Sequence, residues 1–325
     1  MKYRNLGRTG LRISEIGFGC GGGAGLMVGA DADMQKAAVA RALELGITYF
    51  DTAPIYGDTR SEASLGRALH ALGAKPVVAT KIALELDHLD DIPAAVVASV
   101  ERSLTRLRRD MVEVVYLHNR VGSRRAAKPD IGVGALLTVD DVLGPGGVLA
   151  GLDQLRARGL VRFFGCCSYG GETAAIDMLV ESDRFDAMLV HYNLINQTAW
   201  TPAPTGSTIQ DYGGIAARAA ARGMGLSILR VLEAGLLAGN SRESGGAGTD
   251  ANRVRMHALE PLRDGDATLA PLAIRFALSN PAVSTVLIGV SEVAHVEDAV
   301  SAASRGVLTA EQLARIDAVR AADYR

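Results

Sequence analysis

The stretch ITYFDTAPIYG, residues 47–57, sets the terms of the fold. Its opening is β-branched and aromatic, the composition of a buried strand. Asp51 ends the apolar run, Pro54 prevents its continuation, and Tyr56 stands five residues beyond the Asp. Aspartate is a poor strand residue and is rarely buried without a partner, so its position requires a counter-charge or a task. The form recurs twice. PVVATKI, residues 76–82, carries Lys81 near its end, and MVEVVYLHN, residues 111–119, carries His118.

Working outward, apolar strand-like runs alternate with helix-like segments along the whole chain. The turn signal GRTG and Gly10 predict an N-terminal hairpin within the first 14 residues. EIGFGC is followed by a helix over Asp31 to Gly46, with Met34, Ala38, Val39, Ala42 and Leu43 on one face. ITYFDT precedes a helix from Ser61, read as its N-cap with Glu62 in the first turn, to Leu72. PVVATKI precedes an amphipathic helix over Ile92 to Leu107 with Val96, Val97, Val100 and Leu104 on one side. MVEVVYLHN and a helix over Val148 to Arg158 follow. The pattern continues through VRFFGCCS, a helix over Thr173 to Ser182, FDAMLVHY, a helix over Ile209 to Arg222, MGLSILRV, a helix over Leu269 to Ser279, and VSTVLIGV. Two helices, Val293 to Ala303 and Ala310 to Ala322, close the chain.

Eight strands alternating with helices, and no Pro/Ser-rich linker, predict one domain over residues 1–325: a (β/α)8 barrel with an N-terminal hairpin and two terminal helices. The rival is an open doubly wound sheet. It would carry a Gly-rich GxGxxG turn after its first strand, and CGGGAG does not fit that pattern. Three connections exceed what a barrel needs: Asn119 to Gly147, Asn193 to Thr208, and Leu232 to Asp264. All follow strands, at the end where barrels build sites. The small residues of SRESGGAGTDAN give that stretch the composition of a mobile flap.

Composition narrows the function. Of 325 residues, 48% are apolar and 22% charged, and the formal net charge of -2 offers no basic surface for nucleic acid. Cys20, Cys166 and Cys167 are the only cysteines; an odd count without CxxC implies reduced thiols and a cytoplasmic setting. MKYRNLGRTG lacks the apolar core of a signal peptide, and no uncharged apolar run approaches the roughly 18 residues of a membrane span. Nothing in the sequence specifies an oligomeric state.

In the barrel register Asp51, Lys81 and His118 fall at the C-terminal ends of strands two, three and four. Adjacent strands lie about 4.7 to 4.9 Å apart, so these side chains converge at one rim within reach of Tyr56. An ammonium beside a phenol favours the phenolate, and a carboxylate keeps that ammonium charged, which makes Tyr56 a usable proton donor. His118 can hydrogen-bond a carbonyl oxygen. There is no nucleophile beside a base, and no HxH or HExxH, so hydrolytic and metal chemistry lack their residues. His70, His88, His191 and His257 are scattered, and His191, near a strand end, reads as packed or as a pocket wall. Hydride from a nicotinamide cofactor is the simplest reagent to complete the set.

On these motifs, with YRNLGRTGLRISEIGFGC, LVRFFG and STVLIGVS, the chain resembles the aldo-keto reductase superfamily over nearly its full length. The resemblance implies an NAD(P)H-dependent oxidoreductase that reduces an aldehyde or ketone, or runs the reverse reaction on an alcohol or sugar. In it Tyr56 is general acid/base, Lys81 lowers its pKa, Asp51 pairs with Lys81, and His118 orients substrate. It also implies that the cofactor lies across the C-terminal mouth. Gly19 and Cys20 fall near the ribose and nicotinamide. The family's Ser-Asn pair falls on Cys167 and Ser168, its strand-six Gln on Leu189, and its ring-stacking aromatic on Leu229, three departures in the nicotinamide pocket. Arg230, Leu232 and Ala234 fall at the backbone contacts of the phosphates. Around the adenine end stand Gly289, Val290, Ser291, His295 and Asp298; Glu292 would repel a 2'-phosphate, while Arg242, Arg253 or Arg255 could bind one. NADP(H) is placed ahead of NAD(H) on family frequency. The alternative is a cofactor-holding sensor or regulatory barrel, since the superfamily includes ion-channel regulatory subunits. Trp200 and Tyr212 are the expected aromatic walls of the substrate pocket.

Overall fold

A computed structural model of the chain describes residues 1–127, 133–169, 171–203, 206–239 and 250–324. Eight parallel strands close on themselves in chain order. They are β1 (Ile16–Gly19), β2 (Tyr49–Asp51), β3 (Val77–Ile82), β4 (Val112–Leu117), β5 (Val161–Cys167), β6 (Ala187–His191), β7 (Gly225–Leu229) and β8 (Val283–Gly289). Outside them lie α1 (Ala32–Glu44), α2 (Arg60–Leu72), α3 (Ile92–Leu107), α4 (Val148–Ala157), α5 (Thr173–Glu181), α6 (Ile215–Ala221), α7 (Ala270–Ser279) and α8 (Ala294–Ser304), with α9 (Ala310–Ala321) completing the chain. The barrel is the (β/α)8 fold that the alternation predicts.

Alternation along each strand separates two cores. Phe18, Phe50, Val78, Val115, Phe164, Met188 and Ile228 point outward into the helical layer, where Val96, Val100 and Leu152 meet them. Tyr49, Ala79, Val114, Tyr116, Cys167, Ala187 and Leu189 fill the lumen. The lumen is therefore packed, with the hydroxyls of Tyr49 and Tyr116 hydrogen-bonded at 3.0 Å. Below, Tyr3–Asn5 and Arg12–Ser14 form the antiparallel hairpin, and Leu6, Leu11 and Ile13 plug the barrel floor. Gly7, at φ +50°, belongs to that plug; a Cβ there would lie 2.2 Å from the Gly225 amide nitrogen.

Several local expectations are corrected. Ser61 is not a cap, because α2 begins at Arg60 and Ser61 is buried; its hydroxyl donates to the Cys20 carbonyl at 2.9 Å and pairs with Thr52 Oγ1 at 2.8 Å. Glu62 does stand in the first turn of α2 and is buried there, receiving Thr80 Oγ1 at 2.5 Å and Arg106 Nε at 2.6 Å. Met34 is exposed, and Gln35 turns inward instead to donate to the Ala30 carbonyl. The helix expected from Ile209 starts at Ile215. Within the long connections, Val121–Gly122 pairs with Leu137–Thr138, and a helix spans Asp250–Leu259. Most of SRESGGAGTDAN, including Arg242, lies outside the described residues.

Candidate active site

The inward-facing parity of the strands brings the expected residues to one rim. Gly19 pairs with Asp51, Asp51 with Ala79, and Lys81 with Tyr116, while His118 follows β4 directly. Lys81 Nζ donates to Asp51 Oδ1 at 2.5 Å and to the Thr52 carbonyl at 2.8 Å. Both charged side chains are buried, at 1% and 4% exposure for Lys81 and Asp51, so each depends on the other for its charge. Burial raises the Asp51 carboxyl above its usual value, and the Lys81 charge and hydrogen bond only partly offset this. Asp51 Oδ2 is buried without a partner among the described residues.

Tyr56 stands on the turn after β2, half-buried, its backbone held by the Ala53 carbonyl. Lys81 Nζ lies over its ring, 4.7 Å from the centroid. The His118 ring meets it edge-on, centroids 6.0 Å apart and planes at 88°. The four residues thus gather as expected, with one difference in electrostatics. The Tyr56 pKa is pushed well above the ordinary phenol value by burial and then by the Asp51 charge. The ammonium faces the ring and is already engaged by Asp51 and Thr52. In this arrangement Tyr56 is a neutral phenol, suited to giving a proton rather than taking one.

His118 is held neutral. Burial, then the Lys81 charge, drives its pKa well below the ordinary imidazole value. Its Nε2 lies 3.1 Å from the Tyr169 hydroxyl, and its Nδ1 is buried without a partner among the described residues. A buried unpaired N–H costs more than an unpaired acceptor lone pair, so we assign the proton to Nε2, donated to the Tyr169 oxygen. Tyr169 is absent from the residues read out of the sequence. It shares the inward parity of Gly165 and Cys167, which is the signal that would have found it.

The remaining rim residues are distributed around the mouth. Cys167 ends β5 and pairs with buried Leu189; Ser168 follows it, its hydroxyl accepting from the His191 amide at 3.3 Å. The Cys20 and Cys167 thiols are buried and pushed up chiefly by burial, Cys167 to about 12, so neither is a reactive thiolate. Leu229 ends β7, and Gly289 ends β8 beside Gly19. A Cβ on Gly19 would lie 3.0 Å from the Ile288 carbonyl oxygen, a tight contact with the adjoining strand. Val290 is buried and accepts from the Leu26 amide, while Ser291 and Asp298 are exposed. His295 bridges Ser291 Oγ at 3.1 Å and Glu292 at 3.2 Å. Arg255 is buried and donates to Asn252 and Thr208, so its guanidinium is directed inward. Trp200 does not stand in the mouth as a wall. It meets Tyr192, which stacks on Phe276 of α7, in the helical layer.

After β7 the backbone takes an unusual course. Arg230, Glu233, Ala234 and Gly235 all have positive φ, three of them without being glycine. Such residues persist only where their surroundings fix them, and left-handed turns of this kind aim backbone N–H groups toward anions. With Arg230 exposed beside it, this segment fits the diphosphate of a dinucleotide. The positions expected around a nicotinamide fit less closely, because Ser168, Leu189 and Leu229 provide no amide or aromatic ring. Among the described residues no group of three or more His, Cys, Asp and Glu side chains could hold a metal ion, and no helix is long and apolar enough to cross a membrane.

Known proteins resemble this chain in sequence and in fold. L-galactose dehydrogenase of Arabidopsis thaliana is 28% identical over 310 residues, covering 93% of this chain and 88% of the relative. A probable voltage-gated potassium channel subunit beta of the same plant is 25% identical over 329 residues, covering 92% and 90%. The fold matches an aldo-keto reductase of Bacillus halodurans, solved in its holo form, with a TM-score of 0.74 at 23% identity over 98% of this chain and 96% of that one. The model of the aldo/keto reductase family matches residues 15–321, and the chain belongs to that family of oxidoreductases.

Proposed function

We propose that the protein reduces the carbonyl of a small aldehyde or ketone, or oxidises the corresponding alcohol, with Tyr56 as the proton donor. The observation that carries this reading is the buried Lys81–Asp51 pair set beneath the Tyr56 ring with neutral His118 at its edge. A bound nicotinamide dinucleotide would supply the hydride, held by the backbone after Leu229, by Ser168 and by the β8 end around Gly289 and Val290. The chain's own residues do the rest. His118 presents Nε2–H to the carbonyl oxygen, which withdraws electron density from the carbon under attack. Tyr56 then protonates the developing alkoxide. Lys81 and Asp51 fix the electrostatic setting of that transfer, and the packed lumen beneath them excludes water from below.

A polyol or sugar is the favoured substrate class, supported by the similarity to L-galactose dehydrogenase. For the cofactor, the folded segment argues against the preference for NADP(H) drawn from family frequency. His295 is bonded to Ser291 and Glu292, Arg255 is turned inward, and Glu292 would face a 2'-phosphate. We therefore favour NAD(H). The second reading, a cofactor-holding regulatory barrel, draws on the similarity to the potassium channel subunit. Steady-state turnover of the wild type and Tyr56→Phe on a panel of aldoses, simple aldehydes and ketones tests the choice. The oxidoreductase reading requires wild-type turnover that the variant loses by about 100-fold or more, with cofactor affinity within a few-fold. Cofactor binding without any turnover would favour the regulatory reading.

A further inference from the structure

A second polar cluster lies across the mouth from Tyr56, where the ends of β6 and β7 meet. His191 Nδ1 pairs with the Tyr212 hydroxyl at 2.9 Å, and its Nε2 lies 3.2 Å from Glu233 Oε2. Asn193 Nδ2 donates to the same carboxylate oxygen at 2.6 Å and to the Arg230 carbonyl at 2.9 Å. Asn252 Nδ2, from the helix Asp250–Leu259, donates to Glu233 Oε1 at 3.2 Å. Glu233 is only 5% exposed, yet both its carboxylate oxygens have partners, drawn from two connections and a strand. This carboxylate takes no part in the proton transfer assigned to Tyr56.

What it does hold is the strained backbone. Glu233 itself has φ +45° and sits between Arg230 (φ +58°) and Ala234 (φ +54°), and its amide donates to the Arg230 carbonyl at 2.8 Å. Asn193 closes the ring, since one amide group bonds both the carboxylate of Glu233 and the carbonyl of Arg230. Non-glycine residues do not keep left-handed conformations unless other contacts impose them. The carboxylate is the one charged anchor of the segment among the described residues. It ties the segment to His191 on β6, hence to the rigid barrel.

We infer that Glu233 is a positioning residue for the cofactor: clamped by His191, Asn193 and Asn252, it holds residues 230–235 in the bent form that receives the diphosphate of a dinucleotide, the Glu233 and Gly235 amides closing that bend on the Arg230 and Leu232 carbonyls. The inference rests on the dinucleotide reading of the mouth given above. Tyr212 and His191 form the outer part of this clamp, and Tyr212 also lines a cavity with Ser168 and Gln210. Without the carboxylate the segment relaxes toward ordinary backbone, and the competent form becomes a minority. If it falls to about one tenth of the population, apparent affinity falls about tenfold, while the Tyr56 side of the mouth is untouched.

The test compares wild type, Glu233→Ala and Glu233→Gln in two measurements: titration with NADH and NADPH, and amide hydrogen exchange of residues 229–237 without cofactor. Glu233→Ala should weaken binding of the preferred dinucleotide about tenfold and raise its KM, leave kcat at saturating cofactor within a few-fold, and speed exchange in the segment. Glu233→Gln, which keeps one carbonyl acceptor, should fall between the two; should the Ala variant fail to fold, this comparison carries the test. Wild-type affinity in Glu233→Ala, or loss of kcat in proportion to affinity, overturns the positioning role alone. A wild-type protein that binds neither dinucleotide overturns the proposed function and this inference with it.

Discussion

Lys81 Nζ lies over the Tyr56 ring, 4.7 Å from its centroid, with two of its hydrogen bonds already made to Asp51 and Thr52. The phenol therefore stays protonated, its pKa raised first by burial and then by Asp51. An acid must be protonated to act, so carbonyl reduction should show no loss from Tyr56 ionisation up to about pH 10, the ordinary phenol value. The reverse reaction needs the phenolate and should accelerate with pH throughout that range. Profiles of kcat in both directions check this. A reduction rate that falls with a midpoint near or below about pH 8 would mean that the working Tyr56 has a lowered pKa.

The Lys81–Asp51 pair is the part of the site most tied to stability. Removing one partner leaves a buried charge uncompensated, so Lys81→Met should destabilise the protein by about 3 to 5 kcal/mol. Lys81→Met with Asp51→Asn removes both charges and should recover much of that loss. Urea unfolding of the three proteins gives the answer; a double variant no more stable than Lys81→Met would show that the pair is not the source.

His118 gives a pH dependence of opposite origin. Its folded-state pKa is lowered, so the unfolded chain takes up a proton at about pH 6.5 while the folded protein does not. Its contribution is present above that value and is lost as pH falls below it, with a slope of up to about 1.4 kcal/mol per pH unit. Unfolding midpoints of wild type and His118→Gln at a series of pH values should diverge in slope only on the acid side. Parallel slopes would contradict the neutral buried imidazole.

Tyr169 holds the His118 Nε2 proton that a substrate oxygen has to receive. Tyr169→Phe removes this competitor. A neutral hydrogen bond contributes about 0.5 to 1.5 kcal/mol, so the carbonyl KM should fall by about twofold to tenfold with kcat little changed. A drop in kcat instead would make Tyr169 an orienting partner of His118.

How far the sequence reached follows from which physical signal each residue carries. The barrel was legible because eight apolar runs repeat, and because Asp51, Lys81 and His118 are anomalous at strand ends. Residues whose roles depend on partners distant in sequence were not. Ser61 and Glu62 have the composition of a helix N-terminus, yet they face Cys20, Thr52, Thr80 and Arg106 from other elements. Met34 is apolar and exposed, while Gln35 is polar and buried because carbonyls turned inward at Leu26 and Ala30 require a donor. Strand parity alone would have marked Tyr169, since it shares the inward face of Cys167. The backbone after β7 had no sequence signal, because Arg230, Glu233 and Ala234 are not residues that favour positive φ.

The most direct test is a fluorescence titration of the purified protein with NADH and, separately, NADPH, following quenching of Trp200 and energy transfer to the cofactor. Micromolar binding, tighter for NADH, is the predicted result and makes the mouth a dinucleotide site. Binding of neither would contradict the account at its centre, because Tyr56 would then have a proton to give and no hydride to accompany it.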